Sequence, residues 1–204
     1  DSIAMNCGNY GRIYYSGSLV GGVLSNLYSA SLVNCFNFAD INLSGIHGGG
    51  IVGQHDPNSI AQWGVVYNCV NFGNVKSSGA RMGGIMGYEP VGLDAIISNC
   101  YNLGLIEGSS EVGGLVGRYN PDSSTIDNSY NIDTSYFGTL GANVTVGTLG
   151  VITGTGENAS ITVDGQSKTV IQALNEWVTA NKTTYPQLKY WSWDSTNNVP
   201  VFVD

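Results

Sequence analysis

The feature that most limits what this chain can fold into is that it repeats itself. The string Asn-Cys-x-Asn occurs at Asn6 to Asn9, Asn34 to Asn37, Asn68 to Asn71 and Asn99 to Asn102. A fifth copy, Asn128 to Asn131, carries Ser129 where the others carry cysteine. The copies are separated by 28, 34, 31 and 29 residues. Each of the first four is followed by a doubled glycine, in "GGVLS" at Gly21, "GGIVG" at Gly49, "GGIMG" at Gly83 and "GGLVG" at Gly113. A unit of two or three short strands cannot bury its own apolar face, whereas stacked copies share a continuous core. The expected fold is therefore all-β, a parallel β-helix or β-solenoid of four to five coils, with coils about 4.8 Å apart.

Within a unit, glycine suits corners where φ turns positive, and asparagine is the next most tolerant residue. Asparagines stacked from coil to coil can form amide ladders. Strict alternation puts Ile97, Asn99, Tyr101 and Leu103 on one face and Ser98, Cys100 and Asn102 on the other. A straight strand would then leave the cysteines outside. A bend at the first asparagine lets Ile97 and Cys100 both point inward. The bend is favoured, because asparagine suits a corner and cysteine is among the most buried residue types. All four cysteines are accordingly expected to be buried and unbridged, since in-register side chains about 4.8 Å apart exceed the usual Cβ separation of a disulfide. Insertions after the glycine blocks, from Gln54 to Gly64 and from Tyr88 to Asp94, read as loops.

These residues resemble the GLUG-motif repeat family, whose signature pairs an "NC-x-N" segment with a following "GGLVG" block. The best match is Asn99 to Asn102 with Gly113 to Gly117, and the resemblance covers about Asn6 to Tyr136. The first unit departs from the pattern, with Gly8 in place of the usual aromatic and Ser25 in place of the last glycine. The resemblance implies a module of a large secreted or surface-attached bacterial protein, as in adhesins and the non-catalytic regions of immunoglobulin A1 metallopeptidases. It implies an extracellular or cell-surface location. Other domains of a parent chain, or a host glycan or protein, are the implied partners. With no signal-like segment at Asp1, the chain reads as a fragment or processed form.

After the repeats the texture changes. Residues 138–204 are expected to form a cap on the end of the stack assembled by residues 1–137. Thr/Val/Gly strands lead into a helix, "TVIQALNEWVTAN", with an apolar stripe of Val170, Ile171, Leu174, Trp177 and Val178. Thr169 and Gln172 form a capping box at its start. Trp177 should be buried, with an alanine substitution costing about 3–5 kcal/mol. The tail adds Trp191 and Trp193.

Chemistry is sparse. The formal charge is −8 with seven Lys and Arg, which disfavours nucleic acid. No apolar run reaches the roughly 18 residues of a membrane span. The four cysteines include no Cys-x2-Cys pair for zinc, and Ser129 in the fifth position marks them as core residues. His47 and His55 read as surface histidines; with Asp56 they are the candidate metal group, but their spacing matches no recognised motif. Glu89, Asp94, Glu107, Glu111, Asp122 and Asp127, with Arg81 and Arg118, are the residues that a carbohydrate-cleaving β-helix would need paired across a cleft. Their scatter favours solvated loop charges, no cofactor or metal, and no enzyme. Tyrosines and tryptophans are plentiful, and exposed aromatic rows stack on sugar rings or anchor protein partners. Trp63 and Tyr88, on the variable loops, are the expected ligand anchors. The Asn-x-Ser/Thr strings at Asn42, Asn143, Asn158 and Asn181 carry little weight in so Asn-rich a chain.

Overall fold

Every asparagine that opens a repeat is a corner. Asn6, Asn34, Asn68, Asn99 and Asn128 all sit in the left-handed region, with φ of 57°, 54°, 58°, 58° and 44°. The structure, a computed structural model, describes residues 2–56, 63–90, 94–119 and 124–204. The corner breaks the alternation, so Ile97 and Cys100 enter one apolar cluster with Leu32, Cys35, Val66, Cys69 and Ile126. Cys35, Cys69 and Cys100 are fully buried, and no cysteine is bridged. Each of the three donates its thiol to a carbonyl two residues back, at 3.2–3.3 Å. Burial pushes the Cys69 thiol well above its usual range. Cys7 departs from the expectation. It is exposed, because among the described residues no strand pairs on the outer side of the first repeat.

The repeats add one strand each to a set of parallel sheets. Ser2–Met5, Ala30–Val33, Trp63–Tyr67, Asp94–Ser98 and Ser124–Asp127 form one sheet in that order. Gly8–Asn9, Phe36–Asn37, Val70–Asn71, Tyr101–Asn102 and Ser129–Asn131 form a second. Leu24–Leu27, Val52–His55, Met86–Glu89 and Val116–Tyr119 belong to a third, and two narrower sheets complete the set. Parallel register places like residue on like. The first asparagines therefore form a ladder in which Asn34, Asn68, Asn99 and Asn128 each donate Nδ2 to the Oδ1 of the asparagine before, at 2.7–3.2 Å. The second asparagines form another of opposite polarity, Asn9 to Asn37 to Asn71 to Asn102 to Asn131, at 2.8–2.9 Å. Its inner members also donate to the carbonyls of Ala39, Gly73 and Gly104, so buried amides are satisfied along its length.

The doubled glycines are not the corners expected of them. The positive φ falls two residues before each block: Leu19, His47, Arg81 and Glu111. Glycine is needed there for close approach instead. A Cβ on Gly84 would lie 2.2 Å from the Gly114 carbonyl and 2.3 Å from Asn102 Cγ. The second glycine of each block thus gives the next repeat's amide ladder its room, and this links the two halves of the motif.

Residues 137–151 belong to the stack rather than to a cap. Phe137–Leu140, Val144–Val146 and Leu149–Val151 pair in parallel with the last strands of three sheets. Beyond them the chain turns back along the side of the repeats, not across their end. Helix α1 (Val170–Asn181) packs Val170 and Leu174 with Val70, Tyr101 and Tyr130, and Val178 with Val33 and Tyr67. Thr169 caps it, accepting from the Gln172 backbone at 3.1 Å, but the Gln172 side chain bonds Glu176 rather than closing a box. Trp177 is half-buried against Tyr67, so it is not the anchor expected of it. Trp191, 3% exposed, takes that part. The segment after α1 is bonded to the first ladder, with Asn34 and Asn68 donating to the carbonyls of Gln187 and Lys189. No helix among the described residues is long and apolar enough to cross a membrane.

Candidate functional site: an aromatic groove beside the repeats

An aromatic follows the second asparagine in three repeats, Tyr10, Phe38 and Phe72. Register stacks them into a column. Tyr10 and Phe38 lie 5.4 Å apart and 10° from parallel, and Phe38 and Phe72 are 4.4 Å apart and 11° from parallel. Phe36 meets Phe38 edge-on at 5.1 Å. Its ring lies over Gly8, within 2.0 Å of where a Cβ would stand. The first repeat's missing aromatic is therefore replaced by a ring from the second. Facing this wall is the terminal hairpin, Tyr190–Asp194 and Val199–Val203, with Trp191 and Phe202 in contact at 4.1 Å. Between them runs a groove of about 530 Å³, lined by Tyr10, Phe36, Phe38, Trp191, Pro200 and Phe202 among others. Asp194 and Asn197 supply its polar lining. The Asp194 carboxylate accepts from the Asn197 side-chain amide at 2.6 Å and from the Thr196 amide at 2.9 Å. These bonds, the Asn197 amide first, hold its carboxyl below the usual range.

The anchors expected from the sequence stand elsewhere. Trp63 is exposed at the start of its strand, paired in register with Asp94. Tyr88 is on a strand rather than a loop, half-buried. Its ring is flanked by the Arg81 guanidinium at 4.5 Å and the His47 ring at 4.5 Å. Gln54 and His55 also lie on a strand, and residues 57–62 and 91–93 of the two expected loops fall outside the described residues.

Neither histidine is a surface residue. His47 is 8% exposed and His55 fully buried. The four left-handed residues before the glycine blocks stack in register, which brings His47, Arg81 and Glu111 together. Arg81 donates Nε to Glu111 at 2.8 Å and Nη1 to His47 Nε2 at 2.8 Å. Arg118 adds a second contact to Glu111 at 3.4 Å. His47 Nδ1 faces the Gln54 amide oxygen at 2.6 Å, so Nδ1 carries the proton and Nε2 must stay bare to accept from Arg81. Burial, with the Arg81 charge adding to it, pushes the His47 pKa down. A base depressed in the fold binds fewer protons there than in the unfolded chain. Its contribution to stability is therefore present above pH about 6.5 and lost as pH falls through the lower folded value. Urea titrations between pH 7.5 and 5 should show this loss, and His47→Gln should flatten it. An unchanged slope in His47→Gln would assign the acid sensitivity to another group.

Among the described residues Glu111 is the one expected carboxylate found with both Arg81 and Arg118, and those arginines occupy both of its oxygens. Glu107 pairs instead with Lys76 at 2.6 Å, and Asp127 accepts from the Thr148 amide at 2.5 Å. Glu89, fully buried, is held by His55 Nδ1 at 3.0 and 3.1 Å. Burial raises its carboxyl above the usual range, although His55 opposes the shift. Asp122 lies outside the described residues. Among the described residues no group of three or more His, Cys, Asp or Glu is placed to hold a metal. Sequence reasoning pointed to aromatics as ligand anchors but missed the groove. The spacing of Tyr10, Phe38 and Phe72 directly after the second asparagines was the available signal, whereas the opposing hairpin had none. No family model, no curated protein and no solved structure matches this chain.

Proposed function

We propose that the parallel sheets are the faces of a β-solenoid, and that this solenoid is a non-catalytic structural and binding module, serving adhesion or acting as a rigid spacer in a secreted or surface-attached bacterial protein. The groove is its ligand site, and an uncharged glycan is its ligand. The observation that carries this is the pairing of aromatic walls with Asp194 and Asn197. Sugar rings present C–H faces that pack on aromatic surfaces, and their hydroxyls donate to a carboxylate. The chain's net charge of −8 disfavours acidic sugars. The two amide ladders support the stiff rod, and the GLUG resemblance supports the surface context. A glycan array followed by calorimetry on the whole chain tests the reading. Tyr10, 75% exposed, can be replaced without unpacking a core. Tyr10→Ala should weaken binding by about tenfold or more, and Trp63→Ala should leave it unchanged. The reverse result moves the ligand to the variable loops. No glycan binding leaves the spacer alone, and cleavage of an offered polysaccharide favours the rival reading of a carbohydrate-active enzyme.

A further inference from the structure

The two ends of the stack differ in chemistry. At the far end both ladders are closed. Tyr130 donates its hydroxyl to Asn128 Oδ1 at 2.7 Å, and Asn131 Nδ2 is taken up by Asp133 at 2.9 Å. Tyr130 is in turn covered by Ile152 and Ile161 in one apolar cluster. At the near end the same ladders are open. Asn6 Nδ2 has no hydrogen-bond partner among the described residues, although Asn34 donates to its Oδ1. Asn9 Oδ1 accepts only the Gly11 amide there. All five strands of the first repeat are terminal in their sheets. Side chains that are buried one repeat on are bare here. Cys7 is exposed where Cys35 is buried, Met5 is 41% exposed where Val33 is buried, and Tyr15 is 52% exposed where Leu43 is buried.

We propose that the first repeat is a docking surface for another repeat of the same Asn-Cys-x-Asn and Gly-Gly chemistry. The argument is continuity with the contact already made between successive repeats. An incoming repeat's first asparagine would accept from Asn6 Nδ2, and its second would donate to Asn9 Oδ1, the polarity each ladder keeps throughout. Its strands would pair with the five free edges, which otherwise invite unspecific association. Its cysteine would cover Cys7 as Cys7 partly covers Cys35. A second copy of this chain docking by its far end is disfavoured, because the ladder amides there are already satisfied.

Cys7 is the built-in reporter. The test places a second copy of residues 94–123 directly ahead of Ser2, so that its last residues lead into Ser2–Met5 as they lead into Ser124–Asp127. Native alkylation followed by peptide mapping should find Cys7 fast and Cys35, Cys69 and Cys100 slow in the parent. In the extended chain Cys7 should slow by about a hundredfold or more, as for groups reached only by local opening. The thermal midpoint should also rise. The same extension with its copies of Asn99 and Asn102 changed to Leu and of Gly114 to Val should protect nothing. Cys7 labelling at the parent rate in the extended chain overturns the proposal, and so does equal protection by the altered extension. Parent Cys7 becoming protected as its own concentration rises, with a dimer by sedimentation, assigns the surface to a second copy and overturns it as well. None of these outcomes depends on glycan binding.

Discussion

Asn68→Ala is expected to destabilise the chain by about 4–6 kcal/mol, the largest effect of any single amide in the repeats. Asn68 is fully buried and joins two systems at once. Its Nδ2 donates to Asn34 Oδ1 at 2.8 Å and to the Lys189 carbonyl at 2.9 Å. Its Oδ1 accepts from Asn99 Nδ2 at 2.7 Å and from the Trp191 indole. Alanine leaves those partners without their bond, and an orphaned buried polar group costs about 1–3 kcal/mol. Relaxation recovers some of this, since Asn34 Oδ1 still accepts from the Lys189 amide. Alanine must also hold a φ of 58°, adding roughly 1 kcal/mol. Asn68→Gly removes that last contribution and keeps the others, so the difference between the two variants isolates the backbone cost. Asn6→Ala, at the exposed end, should cost well under half as much. Urea unfolding is the measurement, with the midpoint moving at constant slope. A loss below about 1.5 kcal/mol for Asn68→Ala would mean that the ladder guides register without stabilising the fold.

What the sequence disclosed and what it hid divide along a physical line. The bend at the first asparagine, the amide ladders and the buried cysteines at positions 35, 69 and 100 were legible because each repeats, and a repeated residue must tolerate its own copy above and below. The role of the glycine blocks was misread because two different demands select glycine. Positive φ is one and close approach is the other, and only coordinates show that His47, Arg81 and Glu111 carry the first. Those three residues look unrelated along the chain. Register alone brings a histidine, a guanidinium and a carboxylate into one hydrogen-bonded row. The place of residues 138–204 was hidden for a different reason. An amphipathic helix shows which face it buries but not what covers it, so end and flank look alike in sequence. The groove inherits that ambiguity, since one wall is written in the repeat and the other comes from a hairpin more than a hundred residues away.

Trp191→Ala should remove about 3–5 kcal/mol, as large aromatic truncations in cores do, and it should do so in a particular way. The indole is 3% exposed, lies 5.4 Å from Tyr101 and 4.1 Å from Phe202, and donates to Asn68. It therefore fastens the terminal hairpin to the fourth repeat and to the first ladder together. Asn175 holds the same strand from α1, accepting from the Trp191 amide at 2.7 Å and donating to its carbonyl at 2.9 Å. The strands of the repeats pair with one another without using Trp191 at all. Loss of the indole should thus release the hairpin and loosen α1 while the repeats stay folded, giving two unfolding steps where the parent has one. Trp191→Phe keeps most of the apolar contact and drops only the N–H, for about 1 kcal/mol. Hydrogen exchange distinguishes the outcomes. Amides of Tyr190–Asp194 and Val199–Val203 should lose protection in Trp191→Ala, while those of Val66 and Ile97 keep it. Simultaneous loss at Val66 and Ile97 would show that the C-terminal segment is a working part of the stack's own stability, and that the repeats do not stand without it.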